Sequence, residues 1–86
     1  MYTLQYKKAV AKELKKLPQK TRTTIVGKIL ALSKNPQPHG AVKLQGSTNI
    51  YRIRHSGYRV VYSVNNNELI ILVIRVAHRR EVSRDM

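Results

Sequence analysis

The sequence predicts an α+β domain in which two N-terminal helices pack on one face of a mostly antiparallel β-sheet, in the order β-α-α-β-β-β. Three observations predict it. Apolar residues recur at helical spacing through residues 8–34. The cluster Asn35-Pro36-Gln37-Pro38-His39-Gly40 then breaks the chain, and everything from Ala41 onward is rich in β-branched and aromatic residues separated by short polar turns.

Tyr2-Thr3-Leu4-Gln5-Tyr6 alternates and opens the chain as a strand. Lys8 to Leu17 follows as an amphipathic helix, with Val10, Leu14 and Leu17 at i, i+4 and i+7 and lysines on the other side. Its lone acid, Glu13, reads as a surface residue pairing with Lys16. Pro18 ends this helix and starts a second, Gln19 to Lys34. Ile25, Ile29 and Leu32 form the stripe of the second helix, Val26 and Leu30 widen it, and Gly27 suggests a close helix crossing. Ala41 to Leu44 is a short strand or an extended loop, and Gly46 to Asn49 a turn. Ile50 to Arg54 and Tyr58 to Val64 pair as a hairpin around His55-Ser56-Gly57. Asn65-Asn66-Asn67 turns the chain into the last strand, Glu68 to Val76. Its run Leu69 to Ile74 does not alternate, which predicts cover on both faces. The tail from His78 to Arg84 reads as a short helical turn.

The 86 residues make one domain, 1–86, with a modest core. The absence of cysteine excludes a disulfide framework, zinc–cysteine sites and thiol chemistry. The start lacks a long apolar stretch, and the run Leu69–Ile74 is too short to cross a bilayer, so a soluble, cytoplasmic protein with no membrane partner is expected. Charge separates the candidate partners more sharply. Lys and Arg number 17 against 4 Asp and Glu, a net charge of +13, which favours a polyanion and nucleic acid first. All nine lysines lie in residues 1–43, whereas residues 44–86 hold seven of the eight arginines and no lysine. Lysine is a hydrated point charge; arginine is a rigid fork suited to phosphate and to stacking. The split suggests a steering half and a contact half.

Side chains alternate along a strand, so Arg52 and Arg54 share a face, and a sheet with its other face packed on helices could present them together with Arg59. The C-terminal His78, Arg79 and Arg80 are expected nearby. A solvated sheet face kept soluble by arginine is the bland alternative. Four scattered acids, Glu13, Glu68, Glu81 and Asp85, are a poor source of the clustered carboxylates of a two-metal nuclease, and no glycine-rich phosphate loop is present. No metal and no cofactor is therefore expected. Any RNA cleavage would use the 2′-hydroxyl of the RNA itself as nucleophile, with guanidinium groups stabilising the crowded phosphate. His78 could move a proton near neutral pH or be structural. His39 and His55 read as exposed, and Tyr51, Tyr58 and Tyr62 as core or half-core.

The run Ile50-Tyr51-Arg52-Ile53-Arg54-His55-Ser56-Gly57-Tyr58-Arg59-Val60-Val61-Tyr62 resembles the hairpin signature of the RelE/ParE toxin superfamily. Val76-Ala77-His78-Arg79-Arg80-Glu81-Val82 resembles its closing signature, and Leu17-Pro18, Asn35-Pro36 and Lys43-Leu44 fit in order along the whole chain. The resemblance implies a toxin of a toxin–antitoxin pair that binds the ribosomal A site and cleaves messenger RNA there. It also implies an antitoxin partner, expected to be acidic and partly disordered until it binds. By position, Arg59 would stabilise the scissile phosphate, Arg79 the phosphate or the leaving 5′-oxygen, and Arg52 and Arg54 would contact RNA and assist catalysis. Lys43, His78, Arg80 and Ser83 would be further RNA contacts. Family members commonly carry a tyrosine where this chain has Ser83, and a serine hydroxyl neither stacks on a base nor accepts a proton readily at neutral pH. Two alternatives stay open: a ParE-like inhibitor of DNA gyrase without RNA chemistry, and a weakly active toxin that mainly binds the ribosome.

Overall fold

The computed structural model describes residues 1–78. Strand β1 (Thr3–Tyr6) leads into helices α1 (Lys8–Lys15) and α2 (Gln19–Leu32), and β2 (Val42–Lys43), β3 (Ile50–His55), β4 (Tyr58–Asn65) and β5 (Ile70–His78) follow. They form one five-stranded sheet in the order β1-β5-β4-β3-β2. Only β1 and β5 run parallel; the other neighbours are antiparallel. The predicted class holds, with the Ala41–Leu44 segment contributing a two-residue edge strand.

Both helices end earlier than their apolar stripes suggest. The residue before a proline is pushed out of helical geometry. Leu17 precedes Pro18, and the chain closes instead with short bonds from Lys16 N–H to Glu13 O (3.3 Å) and Leu17 N–H to Leu14 O (3.1 Å). Asn35 precedes Pro36, and α2 stops at Leu32. The core lies between the helices and one side of the sheet. Val10, Leu17, Ile25, Ile29 and Leu32 meet Val60, Tyr62, Ile71, Val73 and Val76, all buried. Each such aliphatic side chain contributes about 1.5–3 kcal/mol by leaving water. Leu30 lies outside this core at 54% exposure, and Gly27 faces open space with no helix crossing it. The stripe of α2 is therefore narrower than its composition suggests.

Two polar ties close the fold. The Tyr62 hydroxyl donates to Pro36 O at 2.7 Å, binding the proline loop over the core. Tyr2 N–H donates to Ser33 O at 2.8 Å, joining the entry of β1 to the end of α2. The last strand departs most from its prediction. Asn65 Oδ1 accepts from Asn67 N–H and Glu68 N–H at 3.0 and 2.9 Å. That turn carries Leu69 to a left-handed φ of 56°, so β5 starts at Ile70, two residues later than expected, and runs on to His78. Within β5, Ile71, Val73 and Val76 are buried while Ile70, Leu72 and Ile74 are half-buried. The partners of β4 jump from Arg75 (opposite Val61) to Val73 (opposite Tyr62), which leaves Ile74 as the extra residue of a β-bulge. Burial thus alternates from Ile70 to Ile74 although every side chain is apolar: the outer face of β5 is half-covered rather than fully covered, and the bulge shifts the phase only after Ile74.

Candidate functional site

The β3–β4 hairpin turns in two residues, Ser56 and Gly57, at φ 51° and 83°. Positive φ at both central positions matches the right-handed twist of the strands, and Ser-Gly tolerates it. A side chain at Gly57 would also stand 3.5 Å from His78 Nε2. This tight turn sets the pairing: His55 with Tyr58, Arg54 with Arg59, Ile53 with Val60 and Arg52 with Val61.

Directly opposed residues share a face. Arg52, Arg54 and Arg59 therefore meet on the side of the sheet away from the helices, as the alternation predicted. Arg54 and Arg59 are directly opposed like charges, an arrangement that costs stability. Partial burial, and then the charges of Arg54 and Arg59, pull the Arg52 guanidinium below its ordinary basicity. The next positions along the two rows, Ala77 opposite Arg59 and Val61 between Arg52 and Arg75, are buried and apolar. Such a floor lowers the local dielectric and strengthens attraction for an anion. Arg54, Gly57, Tyr58 and Arg59 line a cup of about 210 Å³ at the turn end of the hairpin.

The remaining expected residues divide. Lys43 is exposed on the edge strand opposite Tyr51, which places it on the helix side. His78 pairs with Tyr58, and the two rings meet edge to face at 5.1 Å, also on the helix side. The sheet thus stands between the His78 imidazole and the three guanidinium groups. Arg79, Arg80 and Ser83 lie outside the described residues. Tyr51 and Tyr62 stack at 5.9 Å on the helix side, so neither presents a ring to the arginine face. Among the described residues, no group of three or more His, Asp or Glu is arranged to hold a metal ion.

Glu13 is the residue that sequence reasoning misplaced. Its carboxylate does not point to Lys16; it accepts Val76 N–H at 2.8 Å and Arg75 Nε at 3.3 Å across the edge of β5. The signal was its position three residues after Val10 and four before Leu17, on the flank of the apolar stripe rather than among the lysines. Arg75 shares a row with Arg52, but its Nε turns to this carboxylate. Beside them a cleft of about 460 Å³ opens between Glu13, Lys16, Tyr58 and His78.

Residues 4–83 match the family described as "ParE toxin of type II toxin-antitoxin system, parDE". The chain is 34% identical over 80 residues to the mRNA interferase toxin RelE of Escherichia coli strain K12, covering 91% of this chain and 83% of that protein. Its fold superposes on the crystal structure of the isolated E. coli RelE toxin with a TM-score of 0.80 at 30% identity, over 91% of this chain and 84% of that one. It superposes on the archaeal RelE–RelB complex from Pyrococcus horikoshii with a TM-score of 0.82 at 29% identity, over 94% and 98%.

Proposed function

The chain belongs to the RelE/ParE toxin superfamily, as a RelE-like member, and from that premise we propose that it is a toxin that cuts messenger RNA on the ribosome. Residues 1–86 act as one domain. The observation that carries the reading is the guanidinium row of Arg54 and Arg59, with Arg52 beside it, over the buried floor of Val61 and Ala77.

The chemistry follows from that row. A messenger strand enters the ribosomal A site and lays one phosphodiester over the arginines. The 2′-oxygen attacks the adjacent phosphorus as its proton leaves, and the bond from phosphorus to the 5′-oxygen breaks. The 5′-oxygen takes up a proton, leaving a 2′,3′-cyclic phosphate and a 5′-hydroxyl end. Negative charge grows on the non-bridging oxygens at the transition state, where Arg59, supported by Arg52 and Arg54, meets it with fixed positive charge. Arg79 assists the leaving 5′-oxygen. No metal is needed, because the charge a metal would supply comes from guanidinium forks and the carboxylates of Glu13 and Glu68 are engaged in structural bonds. Lys43 and His78, on the helix side, contact RNA where it passes the edges of the sheet, and Arg80 and Ser83 add contacts from the tail.

The partner that silences the toxin is a cognate antitoxin, as the RelE–RelB complex of the archaeal relative supports; the net charge of +13 favours an acidic segment that orders on binding. Ribosomal action places the protein in the cytoplasm. The match to the ParE family sustains a second reading, inhibition of DNA gyrase. Primer extension on transcripts after brief expression separates the two. Cuts inside translated codons are expected; a DNA-damage response without cuts would sink the nuclease reading and favour gyrase. Ser83→Tyr should raise cleavage severalfold in the same assay by restoring an aromatic side chain at that position.

A further inference from the structure

Glu13 is the only acid in residues 1–67 of a chain with net charge +13. On α1 it has Lys12, Lys15 and Lys16 as neighbours in sequence, yet its carboxylate turns inward to the sheet, where its side chain is 19% exposed. The topology explains what it finds there. Strand β1 pairs with β5 only from Ile70 to Val73, and Lys7 N–H closes that ladder on Val73 O at 2.9 Å. Past Val73 the chain of β1 has become α1, so among the described residues β5 continues to His78 with no strand on that side. Glu13 takes the empty place: one oxygen accepts Val76 N–H at 2.8 Å and the other accepts Arg75 Nε at 3.3 Å.

The location gives this contact leverage. Ile74, the bulge residue, interrupts the β4–β5 ladder just before Arg75. A bulge bends and twists its strand, so the direction of the segment after it depends on what holds it. Val76 precedes Ala77, which lies opposite Arg59, and His78 follows, directly before Arg79-Arg80 in the sequence. We propose that Glu13 is a positioning residue: by holding the Val76 amide it aims the end of β5, and with it Ala77, the residue opposite Arg59, at the guanidinium row. The role rests on the proposed cleavage reaction, and acts through backbone placement rather than through contact with RNA. Its engagement of Arg75 also keeps that guanidinium at the sheet edge, away from the row where the phosphate is to sit.

The test compares Glu13→Ala with Glu13→Gln, on full-length protein well below its melting temperature. Glutamine retains an oxygen for Val76 N–H and loses the charge facing Arg75; alanine loses both. Cleavage of ribosome-bound message is followed as kcat and KM, and deuterium exchange at the Val76 amide is read in parallel. Glu13→Ala should lower kcat by about 10- to 100-fold with KM little changed, the size expected for a small misplacement of catalytic groups. Its Val76 amide should exchange faster. Glu13→Gln should keep the amide protected and recover most of kcat, a rescue that general loss of stability would not give. Glu13→Ala turning over at the wild-type kcat, or Glu13→Gln as slow as Glu13→Ala, overturns the positioning role. Wild-type protein that cuts no ribosome-bound message overturns the functional reading instead, so the two failures are told apart.

Discussion

The two faces of the β3–β4 hairpin are built from the same residues taken alternately, and they do opposite things. Toward the helices, Tyr51, Ile53, Val60 and Tyr62 fill or flank the core, with Tyr62 fully buried and its hydroxyl on Pro36 O. Away from the helices, Arg52, Arg54 and Arg59 crowd like charges together. One face gains stability from contact and the other spends some of it on repulsion. That contrast teaches that the crowded guanidinium face stays in place because its reverse side is anchored in the core, where Val60, one position from Arg59, is buried.

The comparison breaks most sharply at Arg59. Arg59→Ala should lower the single-turnover cleavage rate by about 10²–10³-fold, the usual cost of removing one charge-stabilising donor. An unchanged rate would show that the outer face is only a solvated surface. A smaller effect should come from lysines on α1. Changing Lys8, Lys12 and Lys15 together to glutamine should leave kcat intact and flatten the salt dependence of ribosome binding by about 2–3 units of log–log slope, near one per lost phosphate contact. That outcome would extend the contrast from two faces to two kinds of base, one for encounter and one for chemistry.

The smallest effect belongs to the inner face. Tyr62→Phe should cost about 1 kcal/mol at neutral pH through loss of the bond to Pro36, with kcat unaffected. Burial, and then the neighbouring Tyr51, push the Tyr62 phenol up to about 12. An acid whose proton is held more tightly in the folded state contributes stability fully below its unfolded value near 10, and that contribution fades as pH rises through the folded value. The advantage of the wild type over Tyr62→Phe should therefore shrink between pH 10 and 12, as read by denaturant melts at each pH. A constant difference would mean that the phenol is not held as the buried hydrogen bond implies.

Much of this architecture was legible in the sequence because it rests on local periods. The spacing of Val10, Leu14 and Leu17 gave α1 its inner face, and the alternation around Arg52 and Arg54 placed both on one side of a strand. Two breakers, Pro18 and Asn35-Pro36, marked the helix ends to within two residues. The hidden features depend on what meets what across long separations. The parallel pairing of β1 with β5 joins residues far apart in the chain, so nothing local announced that β5 would outrun its neighbour and need Glu13. Leu30 matched the helical period but fell outside the width of the sheet beneath α2. The apolar run at residues 69–74 concealed both a left-handed turn residue and a bulge, because a run of similar side chains carries no phase. His78 was placed by pairing with Tyr58, which no spacing in the chain discloses.

The Ser56–Gly57 turn serves as a ruler. With only two residues between the paired ends of β3 and β4, it converts a fixed distance along the chain into a fixed opposition in space, and Arg54 meets Arg59 for that reason alone. An added residue in the loop would slide one strand past the other and send Arg59 toward the helices unless a second irregularity absorbed it. Side chains around the hairpin can therefore change more freely than its length. The decisive separation in the molecule is set by counting, within six consecutive residues.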